Sequence, residues 1–272
     1  MSQARSVYLV VDITSLLAAY DEQMRGAPPN LPAGVRWEQD GPLVRVVGNF
    51  RGFLSAPPDV EVRDAELDRL IVRQRDYFAA RGEAVEWTTR GHDRPRDLPD
   101  RLRAAGFVPE EEETILIATT AELSAEAVPP DGVVIREVAE PSDLRRIAAM
   151  ESTVWGTDMG WLADDLNRRV AAAPYDTIIY VAEAADEVVS AAWMVVRAGT
   201  EFAGLWGGST LPAWRGKGIY RALVAARVER AIARAIRYLQ VDASADSAPI
   251  LRRLGFHAVT TTTPYVWSPP AP

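Results

Sequence analysis

Cysteine is absent from this sequence, and two other reactive residue types are scarce. The 272 residues include no cysteine, one lysine and two histidines, His92 and His257. Without cysteine, disulfides, thiolate nucleophiles and thiolate-bound metals are excluded. Two histidines leave almost no basis for a histidine metal site or a Ser-His-Asp triad. We therefore expect no bound metal.

Long apolar runs and an excess of positive charge are also lacking. No apolar stretch approaches the roughly 20 residues that cross a bilayer, and the N-terminal residues show no cleavage pattern of a signal peptide. We therefore expect a cytoplasmic protein without a membrane partner. The net charge is −8, whereas nucleic-acid binders usually carry a basic face. This balance disfavours a nucleic-acid partner.

The chain divides into two halves that end in the same way. Residues 121–132, AELSAEAVPPDG, are small, polar and proline-paired, which indicates a linker. Each half closes with a short helical stretch, a Gly-Phe pair and a strand-like run; the pairs are Gly106-Phe107 and Gly255-Phe256. This repeat predicts two tandem lobes, 1–120 and 133–272.

Strand-like and helical patterns alternate in the second half in the order βααβββαβαβ. The candidate strands are 133–139, 177–184, 188–196, 202–210 and 238–243, and the candidate helices begin at 142, 161 and 219. The last helix and strand of the order are the two that flank Gly255-Phe256. This order predicts an α/β fold with a mixed, twisted sheet flanked by helices.

The first half gives a weaker pattern. Its candidate helices are 14–25 and 64–81, and its candidate strands are 43–49 and 84–89. We therefore expect it to be about one hairpin shorter than the second half, and to lack a glycine-rich loop of its own.

The segment LPAWRGKGIYRALV, residues 211–224, places two glycines and two cations before an amphipathic helix. Glycine tolerates positive φ and leaves backbone N–H groups uncovered, and the first N–H groups of a helix have no internal partner. Together they form an anion site, with Arg215 and Lys217 at its rim. A Rossmann fingerprint would require a third glycine at Arg221, and a Walker loop is absent. The segment therefore predicts a site for a phosphate-bearing ligand.

This loop resembles the pyrophosphate loop of the Gcn5-related N-acetyltransferase (GNAT) superfamily, [QR]-x-x-G-x-[GA]. Arg215, Gly218 and Tyr220 occupy its first, fourth and sixth positions, and Thr210-Leu211-Pro212 occupies the preceding turn. The later SAPILRRLGF resembles the last helix and Gly-Phe signature of that family. The likeness covers about 131–270, and the element order is that of the family. The first half resembles only the tail of the fold, as in bilobal members.

The resemblance implies transfer of an acyl group, normally acetyl, from acetyl-CoA to a primary amine of a small molecule. It implies that the strand before the loop splays from the next one, and that the amine attacks directly. Backbone groups near the end of that strand would polarise the thioester carbonyl. The implied co-substrate residues are Ser209, Thr210, Leu211, Arg215, Gly216, Lys217, Gly218, Ile219 and Tyr220.

Two positions depart from the family pattern. Tyr220 stands where a small residue is usual, so its ring either crowds the helix start or covers the co-substrate. The tyrosine that often protonates the leaving thiolate is replaced by Leu251, which cannot donate a proton. By position, Tyr220 and Ser244 are the remaining hydroxyl candidates for that acid.

Three carboxylates are candidates for the base. Asp242 follows the strand that should splay, where it could meet an amine directly or through water. Glu201 and Glu151 are the others. The simpler interpretations are that Asp242 caps the next helix and that Glu151 is a solvated helix residue. Of Trp155, Trp161, Trp193 and Trp206, we expect only one or two to face a ligand.

Two further interpretations stay open. A lobe with an intact loop but Leu251 in place of the acid could be a non-catalytic acyl-CoA-binding or regulatory module. A transferase using another donor, such as aminoacyl-tRNA, is disfavoured by the acidic balance. Two lobes can mimic a dimer, so both a monomer and a homodimer remain open.

Overall fold

A computed structural model describes residues 12–270 of the chain. In the first half it contains α1 (Ile13–Met24), β1 (Arg36–Asp40), β2 (Leu43–Val47), β3 (Gly52–Ser55), α2 (Asp64–Ala79), β4 (Val85–Arg90), α3 (Leu98–Ala104), β5 (Val108–Pro109) and β6 (Glu113–Thr119). The second half contains β7 (Val133–Val138), α4 (Pro141–Trp155), α5 (Trp161–Ala172), β8 (Thr177–Ala184), β9 (Glu187–Val196), β10 (Phe202–Thr210), α6 (Ile219–Ala233), β11 (Tyr238–Ala243), α7 (Ala248–Arg253) and β12 (His257–Trp267). Within these residues, no helix combines the length and the apolar character needed to span a membrane.

The second half has the predicted order of elements, and the expected mixed α/β sheet is confirmed. The expectation that the first half is a hairpin short is wrong, because β1, β2 and β3 form a meander there. β1 escaped the sequence pattern because its RWEQD segment is a polar edge strand, and β3 because it has only four residues. The part of the predicted first lobe before residue 12 lies outside the described residues.

One sheet runs through both halves, in the order β1-β2-β3-β4-β12-β6-β11-β10-β9-β8-β7. The closing strands of the halves are exchanged. β12, from the second half, lies between β4 and β6, while β6, from the first half, pairs with β11. The lobe boundaries at 120 and 133 remain a prediction. The strands of one half nevertheless form hydrogen bonds with strands of the other.

Separate cores support the two halves. In the second half, α6 and α7 cover one face of the sheet through Leu223, Val228 and Leu251, while α4 and α5 cover the other through Ile147 and Leu166. The core of the first half surrounds Trp87, Phe78 and Phe107, and it includes Tyr265 from the exchanged β12. Each half is therefore completed by a strand of the other.

Candidate active site

The site is built around a fork between two parallel strands. β10 and β11 pair only at their first three positions, Phe202 with Tyr238, Ala203 with Leu239 and Gly204 with Gln240. β10 then follows β9 as far as Thr210, while β11 follows β6 to Ala243. We call the gap between 205–210 and 241–243 the fork. The splay implied by the resemblance is therefore present.

A bulge in β10 shapes the inner edge of the fork. The register of β10 against β9 shifts between Gly207 and Ser209, and Gly207 and Gly208 have φ of 67° and 98°. A Cβ on Gly207 would lie 2.6 Å from the ring of Trp193, and one on Gly208 would lie 2.6 Å from the ring of Tyr220. Only glycine therefore allows these two rings to press on the backbone from opposite faces.

We expect Gly208→Val to cost about 2–3 kcal/mol of folding free energy, because the new side chain meets the Tyr220 ring at a position of positive φ. Gly216→Val is the matched control: Gly216 has φ +73°, but nothing lies within 4 Å of its Cβ position. Chemical denaturation of both variants separates the packing cost from the backbone cost. Equal losses would contradict the packing of Tyr220 on the bulge.

An exposed loop connects the open end of the fork to α6. A short 3₁₀ turn, Pro212–Trp214, leads to Gly216 and Gly218, which have φ of 73° and 88° and open space at their Cβ positions. No side chain caps α6. Across the described residues 12–270, the backbone N–H groups from Gly216 to Arg221 have no hydrogen-bond acceptor. Consecutive free N–H groups at a helix start are the geometry of an anion site.

The two cations of the loop are partly engaged. Arg215 Nε donates to the carbonyl of Thr210 at 3.0 Å, which ties the loop to the end of β10. Lys217 Nζ lies 4.4 Å from the ring centre of Trp214. Both side chains are exposed. The role of the two cations at the rim of an anion site stays a prediction.

Asp242 lies on the β11 arm of the fork and is half-buried as a residue. Gln240 Nε2 donates to Asp242 Oδ1 at 2.8 Å. Burial raises the pKa of Asp242 to about 6, while the charge of Arg90 on β4 acts in the opposite direction. The simpler interpretation as a helix cap fails, because α7 begins only at Ala248 and no side chain caps it.

The other candidates named from the sequence lie at different ends of the fork. Glu201 precedes β10 at the closed end, is exposed, and forms an ion pair with Arg237 at 3.2 Å. Ser244 follows β11 at the open end, with its Oγ 3.3 Å from Ser247 Oγ. The structure thus brings Asp242, Ser244 and Tyr220 to the open part of the fork and leaves Glu201 away from it.

Glu151 is not the solvated residue that its helix position suggested. It is 3% exposed, and its Oε2 accepts a hydrogen bond from Trp155 Nε1 at 2.8 Å. Burial raises its pKa, and the nearby Ser209 hydroxyl and the Trp155 N–H oppose this rise. A signal was present in the sequence: Glu151 continues the apolar stripe of Leu144 and Ile147 at spacings of seven and four residues.

Arg227 is a buried cation that sequence reasoning missed. It is 1% exposed, and burial lowers its pKa to about 10. Its Nη1 donates to the carbonyls of Trp193 and Trp206 at 3.5 and 3.3 Å, and its Nε donates to Leu223 O. Those two carbonyls are cross-strand partners next to the bulge. Arg227 therefore holds the bulge from the α6 face.

A cavity of about 240 Å³ opens beside the closed end of the fork. Gly204, Trp206 and Gln240 line it from the strands, and residues 28–32 line it from the first half. It lies on the face opposite α6, because the neighbours of Gln240 on β11, Leu239 and Val241, point toward α6. Both halves thus contribute to this recess.

The four tryptophans have different surroundings. Trp206 is 51% exposed and lines the cavity, whereas Trp193 packs under Gly207. Trp161 stacks on Phe50 of the first half, with ring centroids 5.8 Å apart. Trp155 donates a hydrogen bond to Glu151, and the residue is 63% exposed. Trp206 is therefore the tryptophan that lines the recess.

Known structures share this architecture. A GCN5-related N-acetyltransferase from Kribbella flavida superposes with a TM-score of 0.68 at 18% identity, covering 97% of both chains. A tandem GNAT protein from the clavulanic acid biosynthesis pathway gives 0.63 at 12% identity, covering 95% of this chain and 97% of that one. A GCN5-related N-acetyltransferase from Sphaerobacter thermophilus gives 0.59 at 17%, covering 85% and 82%. At these identities the likeness defines the fold: tandem GNAT.

The model of the Acetyltransferase (GNAT) family matches residues 143–256, which include both arms of the fork and the loop. This segment, somewhat less than half of the chain, is therefore similar to the GNAT acetyltransferases. A comparison with curated proteins finds no match.

Proposed function

We propose that this protein transfers the acetyl group of acetyl-CoA to a primary amine of a small molecule. The observation that carries the proposal is the row of unpartnered N–H groups from Gly216 to Arg221 at the open end of a splayed strand pair. A diphosphate on these groups leaves the fork as the path for the thioester arm. The exposed edge of β10 at the bulge then faces the thioester carbonyl, where a backbone donor stabilises the developing oxyanion.

The acceptor approaches from the opposite face of the sheet. The cavity lined by Trp206 and Gln240 lies there, and its volume of about 240 Å³ suits a small molecule. An amine held in this recess attacks the thioester across the fork, so positioning supplies much of the rate enhancement. Residues 28–32 give the first half a role in acceptor binding.

Tyr220 is the best-placed hydroxyl to protonate the leaving sulfur. Its ring packs on Gly208 at the bulge, and its hydroxyl has no hydrogen-bond partner in the described residues. Burial raises its pKa, while the buried charge of Arg227 acts to lower it. Leu251 is fully buried in the core and contributes only packing.

The proposal is tested by the release of free thiol from acetyl-CoA over a panel of small primary amines. Because the protein contains no cysteine, a thiol reagent reports only the released CoA. We expect release that depends on both acetyl-CoA and an amine, with mass spectrometry showing one added acetyl group on the amine. Binding of acetyl-CoA without release for any amine would instead favour the non-catalytic acyl-CoA-binding or regulatory module.

A further inference from the structure

Glu151 is a buried carboxylate with one oxygen unused. Its Oε1 is shielded from solvent and has no hydrogen-bond partner among the described residues, while Oε2 is held by Trp155. Among the described residues, no charged group shifts the pKa of Glu151. The two side chains that lower it are Ser209 of β10 and Trp155 of α4. A buried carboxylate oxygen without a donor is costly, and such groups concentrate at functional sites.

Ser209 connects this carboxylate to the fork. It is the first residue after the bulge and pairs across the strands with Ala191. Directly paired residues point to the same face of a sheet, and Ala191 packs in one cluster with Ile147 and Met150 of α4. The Ser209 side chain therefore faces α4, on which Glu151 lies one turn after Ile147 and on the same side of the helix. Ser209 is half-buried, so its hydroxyl can contact both Glu151 and a molecule in the fork.

We propose that Ser209 and Glu151 form a relay that removes the proton from the acceptor's ammonium group; this rests on the proposed function. The ammonium gives one proton to Ser209 Oγ as the Ser209 hydroxyl gives its own proton to Glu151 Oε1. The neutral amine nitrogen then bonds to the thioester carbon, and the carbon–sulfur bond breaks with its electron pair on sulfur. The nitrogen then loses its second proton to solvent, the Tyr220 hydroxyl protonates the sulfur and is reprotonated from solvent, and Glu151 returns the first proton to solvent through Ser209, so that one proton is released for each acetyl group transferred.

The relay also explains why the carboxylate is buried. The acceptor contacts Ser209 and does not reach Glu151 itself. A relay of this kind serves an acceptor that must lose a proton before it attacks, which is a primary amine that arrives as an ammonium ion. Asp242, the other carboxylate of the fork, already accepts from Gln240 and lies within the field of Arg90.

Amine-dependent thiol release by the full chain tests the relay. We expect Glu151→Gln and Ser209→Ala each to lower kcat/KM about 100-fold or more, within the usual range for general-base catalysis. The double variant should be no slower than Glu151→Gln, because both residues serve one step. Acetyl-CoA affinity, measured by calorimetry, should stay within about twofold of wild type, since neither side chain holds the diphosphate. Glu140→Gln is the matched control and should retain full activity, because Glu140 is exposed just before α4 and its side chain makes no capping hydrogen bond.

Two pH readouts separate this role from a structural one. Wild-type activity should fall below the raised pKa of Glu151, and the Gln variant should lack this limb. Because the pKa of Glu151 is higher in the folded than in the unfolded protein, wild type loses stability as pH rises between the two values. The stability gained by Glu151→Gln should therefore be larger at pH 8 than at pH 4.

Full activity of Glu151→Gln, multiplicative losses in the double variant, or loss of the acid limb only in Asp242→Asn would overturn the relay and leave the transferase proposal standing. If wild type releases no thiol with any amine, both the relay and the proposed transfer are wrong.

Discussion

The double variant Arg215→Glu, Gly218→Trp is expected to lose acetyl-CoA affinity by at least about 100-fold, or about 2.8 kcal/mol. The glutamate places a negative charge beside the proposed diphosphate site in place of a cation. The tryptophan places an indole over free N–H groups at a position with φ of 88°. The loop is exposed, and nothing lies within 4 Å of the Gly218 Cβ position, so the tryptophan meets no neighbouring atom. A side chain at this positive φ still costs about 1–2 kcal/mol of stability.

A matched double variant, Arg145→Glu, Gly199→Trp, controls for the chemistry of these substitutions. Gly199 has φ +78° and an equally open Cβ position in the turn between β9 and β10, and Arg145 is exposed on α4. Calorimetry should show wild-type affinity for this control. If both double variants bind acetyl-CoA as wild type does, the loop has no part in binding.

Thr262→Pro is expected to destabilise both halves of the protein, although the substitution lies in the second. Thr262 is 2% exposed at the centre of β12, opposite Arg90 on β4 and Glu113 on β6. Proline removes a backbone donor and clashes within a central strand. The loss should be several kcal/mol, a large part of a typical net stability of about 5–15 kcal/mol.

Hydrogen exchange of the β4 amides, residues 85–90, measures this coupling. Protection there should fall in Thr262→Pro, whereas Ser268→Pro, one residue beyond β12, should leave it intact. Unchanged protection of β4 in Thr262→Pro would mean that the first half does not depend on the exchanged strand.

Local patterns carried the sequence predictions that the structure confirms. The elements of the second half follow from apolar periodicity and turn residues, which act over a few neighbouring residues. The open loop before α6 also follows from local geometry, because glycine and a helix start leave N–H groups free, and the Cβ positions of Gly216 and Gly218 are open. That this loop binds a phosphate stays a prediction.

Nonlocal choices could not be read from the sequence. β6 and β12 each follow a Gly-Phe pair, and neither segment carries a local pattern that indicates which strands it will pair with. The exchange is decided by pairing between residues more than 100 positions apart, such as Asp242 with Ile115. Arg227 was not predicted for the same reason. Its role depends on hydrogen bonds to the carbonyls of Trp193 and Trp206, which come from different strands and meet only in the folded sheet.

Glu151 shows how a charged residue misleads a sequence reading. A glutamate in a helix is usually solvated, and Trp155, four residues on, could be taken as an unrelated aromatic. In the fold the two share a hydrogen bond beneath β10, next to Ser209. The position of Glu151 on the apolar stripe of α4 indicated burial, whereas its charge indicated exposure, and the position decides.

Amide hydrogen exchange of residues 216–221, with and without acetyl-CoA, tests the central claim most directly. These N–H groups have no acceptor in the described protein, so they should exchange rapidly when free and become strongly protected when acetyl-CoA is bound. Binding of acetyl-CoA that protects other amides and leaves 216–221 unchanged would contradict the account.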